Sequence, residues 1–501
     1  MQKANAFSST NKVFNQLSIG LLCFSVLVGS ILRFWNLDKE SFWVDEIFSA
    51  LAATSASIKE MLAIFVIGDV HPPLYYTLLM GWTRIFGSSD WALRSSSALV
   101  SIVAFFFMYY QTKKVFGRQV ATLATLLLIF STASIAYAQE LRVYSLLLLF
   151  SVITTLLWLH VVYRFQSGIV ARDFVIYTVV AVITSYLHYF GFLLIGFQVG
   201  YLIVLGLLYR RYYKQVGLVV VGWLTLFLPW FFYHLSSLTR CCGGHFWVKR
   251  LPFMVFYKEF IAFVFFCGHP ERFHYRRIFF ISLIVLAALH IVRSRNKLNL
   301  TQVKARLNSL VPLMYVMIVP CIVLFVVSYH TPLLEVRFLI ILLPAFYLGL
   351  AYFLNATLSY KAAFMLVFAI WGSLACIYAV RAGNKFGKQQ RRQATEYALQ
   401  SANEHAVIVV LKDNNQPINM DQYYLTQLLP YYGRRSISYC EGSSKAIKAC
   451  IETTKRAQVP LIILCTSMPT LPVDIEEMLR QQAETYAVKK FLYASVYVCT
   501  F

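Results

Sequence analysis

Charge is what this chain has least of. Asp, Glu, Lys and Arg make up 13% of its 501 residues against a hydrophobic share of 59%, whereas soluble domains are about 25% charged. That shortage excludes an ordinary water-soluble fold and leaves a polytopic membrane protein. Carboxylates are scarcer still, with 22 Asp plus Glu against 45 Lys plus Arg, a formal net charge of +23. An excess of cations invites a nucleic-acid partner, but the basic residues fall in short clusters between apolar runs, as cytoplasmic loops do. Membrane orientation therefore explains much of the charge, and no nucleic-acid partner is expected. No Cys-x-x-Cys pair occurs among the ten cysteines, and Cys23 and Cys321 fall inside apolar runs as small packing residues. Internal repeats and low-complexity tracts are absent. No small-residue cleavage site ends the first apolar run, Leu17 to Trp35. It is read as a retained span with the N-terminus in the cytoplasm.

What is present is a succession of apolar runs separated by basic loops. After the first come Leu93 to Tyr110, Val120 to Tyr137, Tyr144 to Tyr163, Phe174 to His188, Phe190 to Tyr209 and Val216 to Tyr233. Ile278 to Val292, Leu310 to Tyr329, Phe338 to Leu354 and Ala362 to Val380 follow. Counted against a hydrocarbon core of about 30 Å, they give about eleven spans. Phe253 to Phe266 is short for a span, and a crossing there would throw Arg293, Arg295 and Lys297 outside, so it is kept on the external surface. The expected fold is an all-α polytopic membrane domain over residues 1–380. After Arg381 the composition changes, and alternating strand-like and helix-like segments predict a small extracytoplasmic α/β domain over residues 381–501. Its strands are expected at Ala406 to Leu411, Leu461 to Cys465 and Val488 to Phe501, and its helices at Met420 to Leu429, Lys445 to Lys455 and Ile475 to Glu484. Cys440 and Cys450 are candidates to pair there if the compartment is oxidising.

Against so acid-poor a background, the stretch Phe42 to Pro73 stands out, because the topology puts its acids just outside the first span. It opens Phe42-Trp43-Val44-Asp45-Glu46, with helical composition continuing to Ala53. A capping-box pattern at Ser57-Ile58-Lys59-Glu60 then opens a second short helix. Asp69-Val70-His71-Pro72-Pro73 ends the stretch. A solvated helix start explains Glu46 well and Asp45 almost as well; the other reading is acid/base chemistry on a lipid-borne substrate. The prolines fix the backbone after Asp69 and His71, which either form a turn or orient an acceptor. One Asp and one His do not specify a metal, although a divalent cation there is compatible with them.

Two more groups lie at external span ends. In Gln139-Glu140-Leu141-Arg142-Val143-Tyr144 an external arginine runs against the positive-inside tendency, so Arg142 either pairs with Glu140 or clamps a phosphate. In Glu335-Val336-Arg337-Phe338, Arg337 either shares that phosphate or neutralises Glu335. His188, at another external end, reads first as a packed interfacial histidine. Agreement in side among these groups argues for one cavity at the outer membrane surface. The Asn355-Ala356-Thr357 sequon falls on the cytoplasmic or buried side and is discarded.

On these residues the chain resembles the GT-C glycosyltransferases of family 39 type, related to protein O-mannosyltransferases and the lipid A aminoarabinose transferase. Trp43-Val44-Asp45-Glu46, Asp69-Val70-His71-Pro72-Pro73-Leu74, the Gln139 to Tyr144 stretch and Glu335 to Phe338 match the pattern in order, with good coverage from Leu17 to about Leu350. The resemblance implies a polyprenyl-phosphate-linked sugar donor, an external active site, a hydroxyl acceptor on lipid, glycan or protein, and no soluble nucleotide-sugar fold. It makes Asp45 the catalytic base with Glu46 supporting the loop, and sets Asp69 and His71 on the acceptor or metal side. It puts Arg142, Arg337, Tyr144 and His188 near the donor phosphate, with Gln139, Glu140 and Glu335 in support. Two departures stand out: Leu141 replaces a usually small residue, and Phe338 replaces a tyrosine and so lacks its hydroxyl. No cofactor is required by this chemistry, since cationic side chains can serve a departing monophosphate. A lipid or solute transporter is the main rival, but transporters usually gather their binding groups near the bilayer midplane.

Overall fold

The computed structural model describes residues 2–66, 71–243, 252–266, 300–331, 334–384, 390–402, 406–412, 423–426, 428, 436–441, 444–465, 471–491 and 494–501. In chain order the first helices are α1 (Gln2–Phe34), α2 (Val44–Ala53), α3 (Ile58–Met61), α4 (Leu74–Phe86), α5 (Asp90–Phe116), α6 (Arg118–Ile129) and α7 (Thr132–Ala138). Then come α8 (Tyr144–Arg164), α9 (Ala171–Leu187), α10 (Tyr189–Tyr209), α11 (Tyr213–Gly243), α12 (Phe253–Phe266) and α13 (Leu300–His330). A 3₁₀ helix (Val336–Leu342) leads into α14 (Leu343–Thr357), followed by α15 (Tyr360–Asn384) and α16 (Arg391–Ser401). The remaining elements are β1 (Val407–Lys412), β2 (Ser436–Glu441), α17 (Ser444–Arg456), β3 (Leu461–Cys465), α18 (Val473–Gln482), β4 (Thr485–Phe491) and β5 (Ala494–Thr500).

Eight of the described helices are long and apolar enough to cross a membrane, and the bent pair α6 and α7 makes a ninth if it is one span. Helix α9, with 17 residues, matches another expected run. The expected span Ile278 to Val292 lies outside the described residues. Residues 1–35, 55–87 and 92–379 form one compact unit, and residues 36–54, 88–91 and 380–501 form a second.

The helical unit holds together by more than apolar packing. Helix α6 ends at Ile129 and the chain turns by 54° into α7, a break that strands helix-end carbonyls inside the bundle, where each would otherwise be costly. Arg33, fully buried near the end of α1, answers this. Its Nη1 donates to the carbonyls of Gly29 and Ile129 at 2.9 and 3.0 Å. Its Nη2 donates to Leu128 O at 3.3 Å and Ser134 Oγ at 2.8 Å, and its Nε donates to Ser101 Oγ at 2.7 Å. The guanidinium also lies 4.4 Å from the Phe105 ring centroid. A Cβ at position 29 would overlap Ile129, so only glycine lets α1 come this close. Ser131 caps α7 by accepting from Ser134 N at 3.1 Å and also accepts from the Tyr347 hydroxyl at 2.7 Å.

In the second unit the sheet order is β2-β1-β3-β5-β4. Strands β2, β1 and β3 run parallel, whereas β5 is antiparallel to both β3 and β4. Alternation along β1 and β3 builds two cores. Val409, Leu411, Leu461 and Ile463 face Ile447, Ile451, Ile475 and Leu479 of α17 and α18. Ile408, Val410, Ile462 and Leu464 face Ala394, Ala398 and Leu399 of α16. Helices therefore cover both faces, which is why β3 is buried along its whole length. The run Val488 to Phe501, read as one strand, is a hairpin: β4 supplies Thr485–Phe491 and β5 supplies Ala494–Thr500. Cys440 lies on β2 and Cys450 on α17, with side chains outside the described residues.

Candidate active site

Four stretches that the sequence scatters come together at helix ends of the first unit, around His188. That residue ends α9 and begins α10 in an extended conformation, and its Nδ1 accepts the Phe190 backbone N–H at 3.0 Å. Accepting at Nδ1 leaves Nε2 to carry the proton of the neutral ring. The corner is tight because residue 191 is glycine; a Cβ there would overlap the Thr184 carbonyl. His71, buried ahead of α4, sets its ring edge-on to His188 with centroids 4.9 Å apart. Pro73 then opens α4, its carbonyl accepting from Thr77 N at 3.1 Å.

The turn between α7 and α8 supplies the third stretch. Gln139 Nε2 donates to Leu32 O at 2.8 Å and Trp35 O at 3.1 Å, tying the turn to the end of α1. Ser145 Oγ donates to Tyr137 O at 3.0 Å, and the Tyr137 and Tyr144 rings stack edge-on at 5.0 Å. Within this frame Arg142 is 5% exposed and Leu141 is fully buried. The Tyr144 ring reaches His188 at 6.4 Å. Glu140 is half-buried in the same turn.

The 3₁₀ helix carries the fourth. Phe338 packs on the His188 ring at 5.3 Å and on Phe190 at 4.6 Å. The residue in the tyrosine's place thus serves the aromatic wall. Arg337 lies with its guanidinium carbon 5.9 Å from the Phe338 centroid and its Nε 3.9 Å from Glu335 Oε2. Burial holds the Glu335 carboxyl above the usual range, and Arg337 opposes that rise. Glu259 of α12 was not singled out from the sequence. Its carboxyl is raised by burial first and by the charge of Glu335 second, so α12 brings a second acid to this end. The charged pair Lys258-Glu259 inside an otherwise apolar helix was the signal available for it.

Asp45 and Glu46 belong to the second unit, in the first turn of α2. Glu46 is fully buried, and its Oε2 accepts from the Trp43 backbone N–H at 3.4 Å. Asp45 is half-buried, and its carbonyl accepts from Ser49 Oγ at 3.0 Å. Asp69 lies outside the described residues. Among the described residues no three His, Cys, Asp or Glu side chains gather as metal ligands.

Residues 70–234 match the family model described as dolichyl-phosphate-mannose-protein mannosyltransferase. Among solved structures, the chain is similar to ArnT from Cupriavidus metallidurans in the apo state, at 14% identity and a TM-score of 0.58, over 96% of this chain and 98% of that one. The same enzyme bound to undecaprenyl phosphate matches at 13% identity and a TM-score of 0.51, with the same coverage. An oligosaccharyltransferase from Archaeoglobus fulgidus aligns at 11% identity and a TM-score of 0.47, over 89% of this chain and 69% of that one. A comparison with curated proteins finds no match in sequence. The first similarity shows that the fold is that of ArnT. The stretch that matches the mannosyltransferase-family model carries His71, Arg142, Tyr144 and His188, and the chain as a whole has that fold.

Proposed function

We propose that this enzyme moves a single sugar from a polyprenyl-phosphate-linked donor to a hydroxyl acceptor at the extracytoplasmic face of the membrane, with inversion at the anomeric carbon. The observation that carries this reading is the assembly of His71, Tyr144, His188, Phe338 and Arg337 at helix ends of the first unit, with Arg142 buried in the adjoining turn. Guanidinium groups in a poorly hydrated setting suit a phosphate monoester presented by a lipid, and one ArnT structure of the same fold is bound to undecaprenyl phosphate.

In this mechanism Asp45 takes the proton of the acceptor hydroxyl as its oxygen attacks the anomeric carbon. The bond from that carbon to the phosphate oxygen breaks, and polyprenyl phosphate departs with the electron pair. Arg142 and Arg337 stabilise the charge growing on the phosphate, a role worth about 10²- to 10³-fold per donor group at comparable sites. Tyr144 and His188 line the phosphate end and His71 the acceptor end. Cationic side chains can serve the departing monophosphate without an added metal ion, in which case a chelator leaves turnover within about 2-fold; a larger loss would point to a divalent cation on the Asp69 and His71 side.

The test is release of polyprenyl phosphate by the purified protein in detergent, supplied with a polyprenyl-phosphate sugar and a hydroxyl acceptor. Asp45→Asn should abolish release while leaving the thermal midpoint in place; unchanged turnover would remove Asp45 from the chemistry. Arg142→Ala should weaken donor binding more than acceptor binding, and equal losses would contradict the phosphate assignment.

A further inference from the structure

The second unit is built from a C-terminal stretch and two short segments from far upstream, residues 36–54 and 88–91. Asp90, 6% exposed, joins the pieces. Its Oδ2 accepts from Arg392 Nη1 at 3.1 Å and from the Tyr424 hydroxyl at 3.1 Å. The same two side chains hold the loop ahead of α2. Tyr424 Oη accepts the Phe42 backbone N–H, and Arg392 Nη2 donates to the carbonyls of Asp38 and of Lys39. The Phe42 ring, fully buried, packs against Tyr423 at 5.8 Å and Tyr424 at 6.5 Å. Three residues beyond Phe42 stands Asp45, and Glu46 closes the intervening turn on Trp43 N.

Arg391 and Arg392 open α16, the end of a helix where the backbone dipole disfavours cations. Within α16 the Arg392 Nε lies 3.9 Å from Glu396 Oε1, while its two Nη atoms reach out of the helix to Asp90 and the loop carbonyls. A buried, charge-assisted pair of this kind fixes geometry more than it adds stability. Fixing is what a general base needs, since displacement by about 1 Å can lower a rate by about 10²-fold.

We infer that Arg392 and Tyr424 of the C-terminal unit are positioning residues for the Asp45 loop, acting through Asp90 and the backbone of residues 38–42. The inference rests on the proposed role of Asp45 as base. It gives the C-terminal unit a part in catalysis that does not depend on binding the acceptor.

The experiment uses the full-length protein in detergent with the same polyprenyl-phosphate sugar. Steady-state kinetics are combined with hydrogen exchange over residues 36–54 for Tyr424→Phe, Arg392→Gln and Arg392→Lys. Asp45→Asn is the reference, and Arg456→Ala, at a side chain 84% exposed, is the control. Tyr424→Phe and Arg392→Gln should speed exchange in that segment and lower kcat by about 10-fold or more, with donor KM nearly unchanged. Arg392→Lys, which keeps the charge beside Asp90 but loses the fork, should fall between them and the wild type. Unchanged exchange in both variants would overturn the inference. So would faster exchange with full turnover, provided Asp45→Asn is inactive. If Asp45→Asn is itself active, the role given to Asp45 fails, and the inference fails with it.

Discussion

Two arginines of the helical unit, Arg33 and Arg337, live in opposite circumstances. Arg33 is fully buried, and every nitrogen of its guanidinium donates to a protein oxygen between 2.7 and 3.3 Å. Arg337 is half-buried, with its Nε 3.9 Å from Glu335 Oε2 and its guanidinium carbon 5.9 Å from the Phe338 ring centroid. The first is saturated by the bundle it closes. The second stands beside a raised carboxyl and a wall of rings. A buried cation in a membrane protein is usually taken as a sign of function, yet Arg33, the more deeply buried of the two, spends its donors on the bundle's own carbonyls and hydroxyls.

Substitutions can break that contrast. Arg33→Ala takes the guanidinium donors from the Ile129 and Leu128 carbonyls and should lower stability by about 1–3 kcal/mol for each buried group left unsatisfied, read as a drop in the detergent thermal midpoint; Arg33→Lys should recover part of it. Arg337→Ala should leave the midpoint near wild type while cutting turnover by about 10²-fold. If the two variants changed places, the contrast would be wrong. His188→Ala removes the cap of α10 and should cost about 1 kcal/mol. His188→Asn, which can still cap, should keep most of that stability but not the turnover.

The smallest effect concerns pH. The folded-state value of Glu335 lies above its ordinary 4.5, because burial disfavours its charge. The folded protein therefore holds this proton more tightly than the unfolded chain, and stability declines as pH rises from the ordinary value through the raised one. Below that window the contribution is fully favourable; above it the cost of the buried charge persists. Glu335→Gln should flatten this part of the midpoint-against-pH curve, and should lower the Glu259 value by removing a neighbouring charge.

The apolar runs announced most of the bundle, since nine expected spans match described long helices or the bent pair and α9 matches one more. Apolar alternation likewise announced β1 and β3. Helix α16 went unread because Arg391-Arg392-Gln393 looks like a solvated linker, although Ala394, Ala398 and Leu399 carry a helical spacing. Strand β2, Ser-Ile-Ser-Tyr-Cys-Glu, is too polar to signal itself and gains its place by pairing with β1. Arg33 was hidden at the end of an apolar run, where a cation is expected to reach for the headgroups; the glycine four residues earlier was the clue to a close crossing. A lone histidine gives no warning that three other stretches will fold around it, because that meeting is made by helix crossings and not by spacing. The grouping of residues 36–54 with the C-terminal sheet is equally long-range and leaves no local mark.

That grouping also sets an order of events during synthesis. The stretch bearing Asp45 leaves the ribosome roughly 20 to 70 seconds before Arg392 exists, at about 5–20 residues per second. Until then Asp90 has neither of the C-terminal partners described here. A nascent chain can therefore be threaded into the bilayer while the loop ahead of α2 still waits for the side chains that tie it down, which are among the last to be translated.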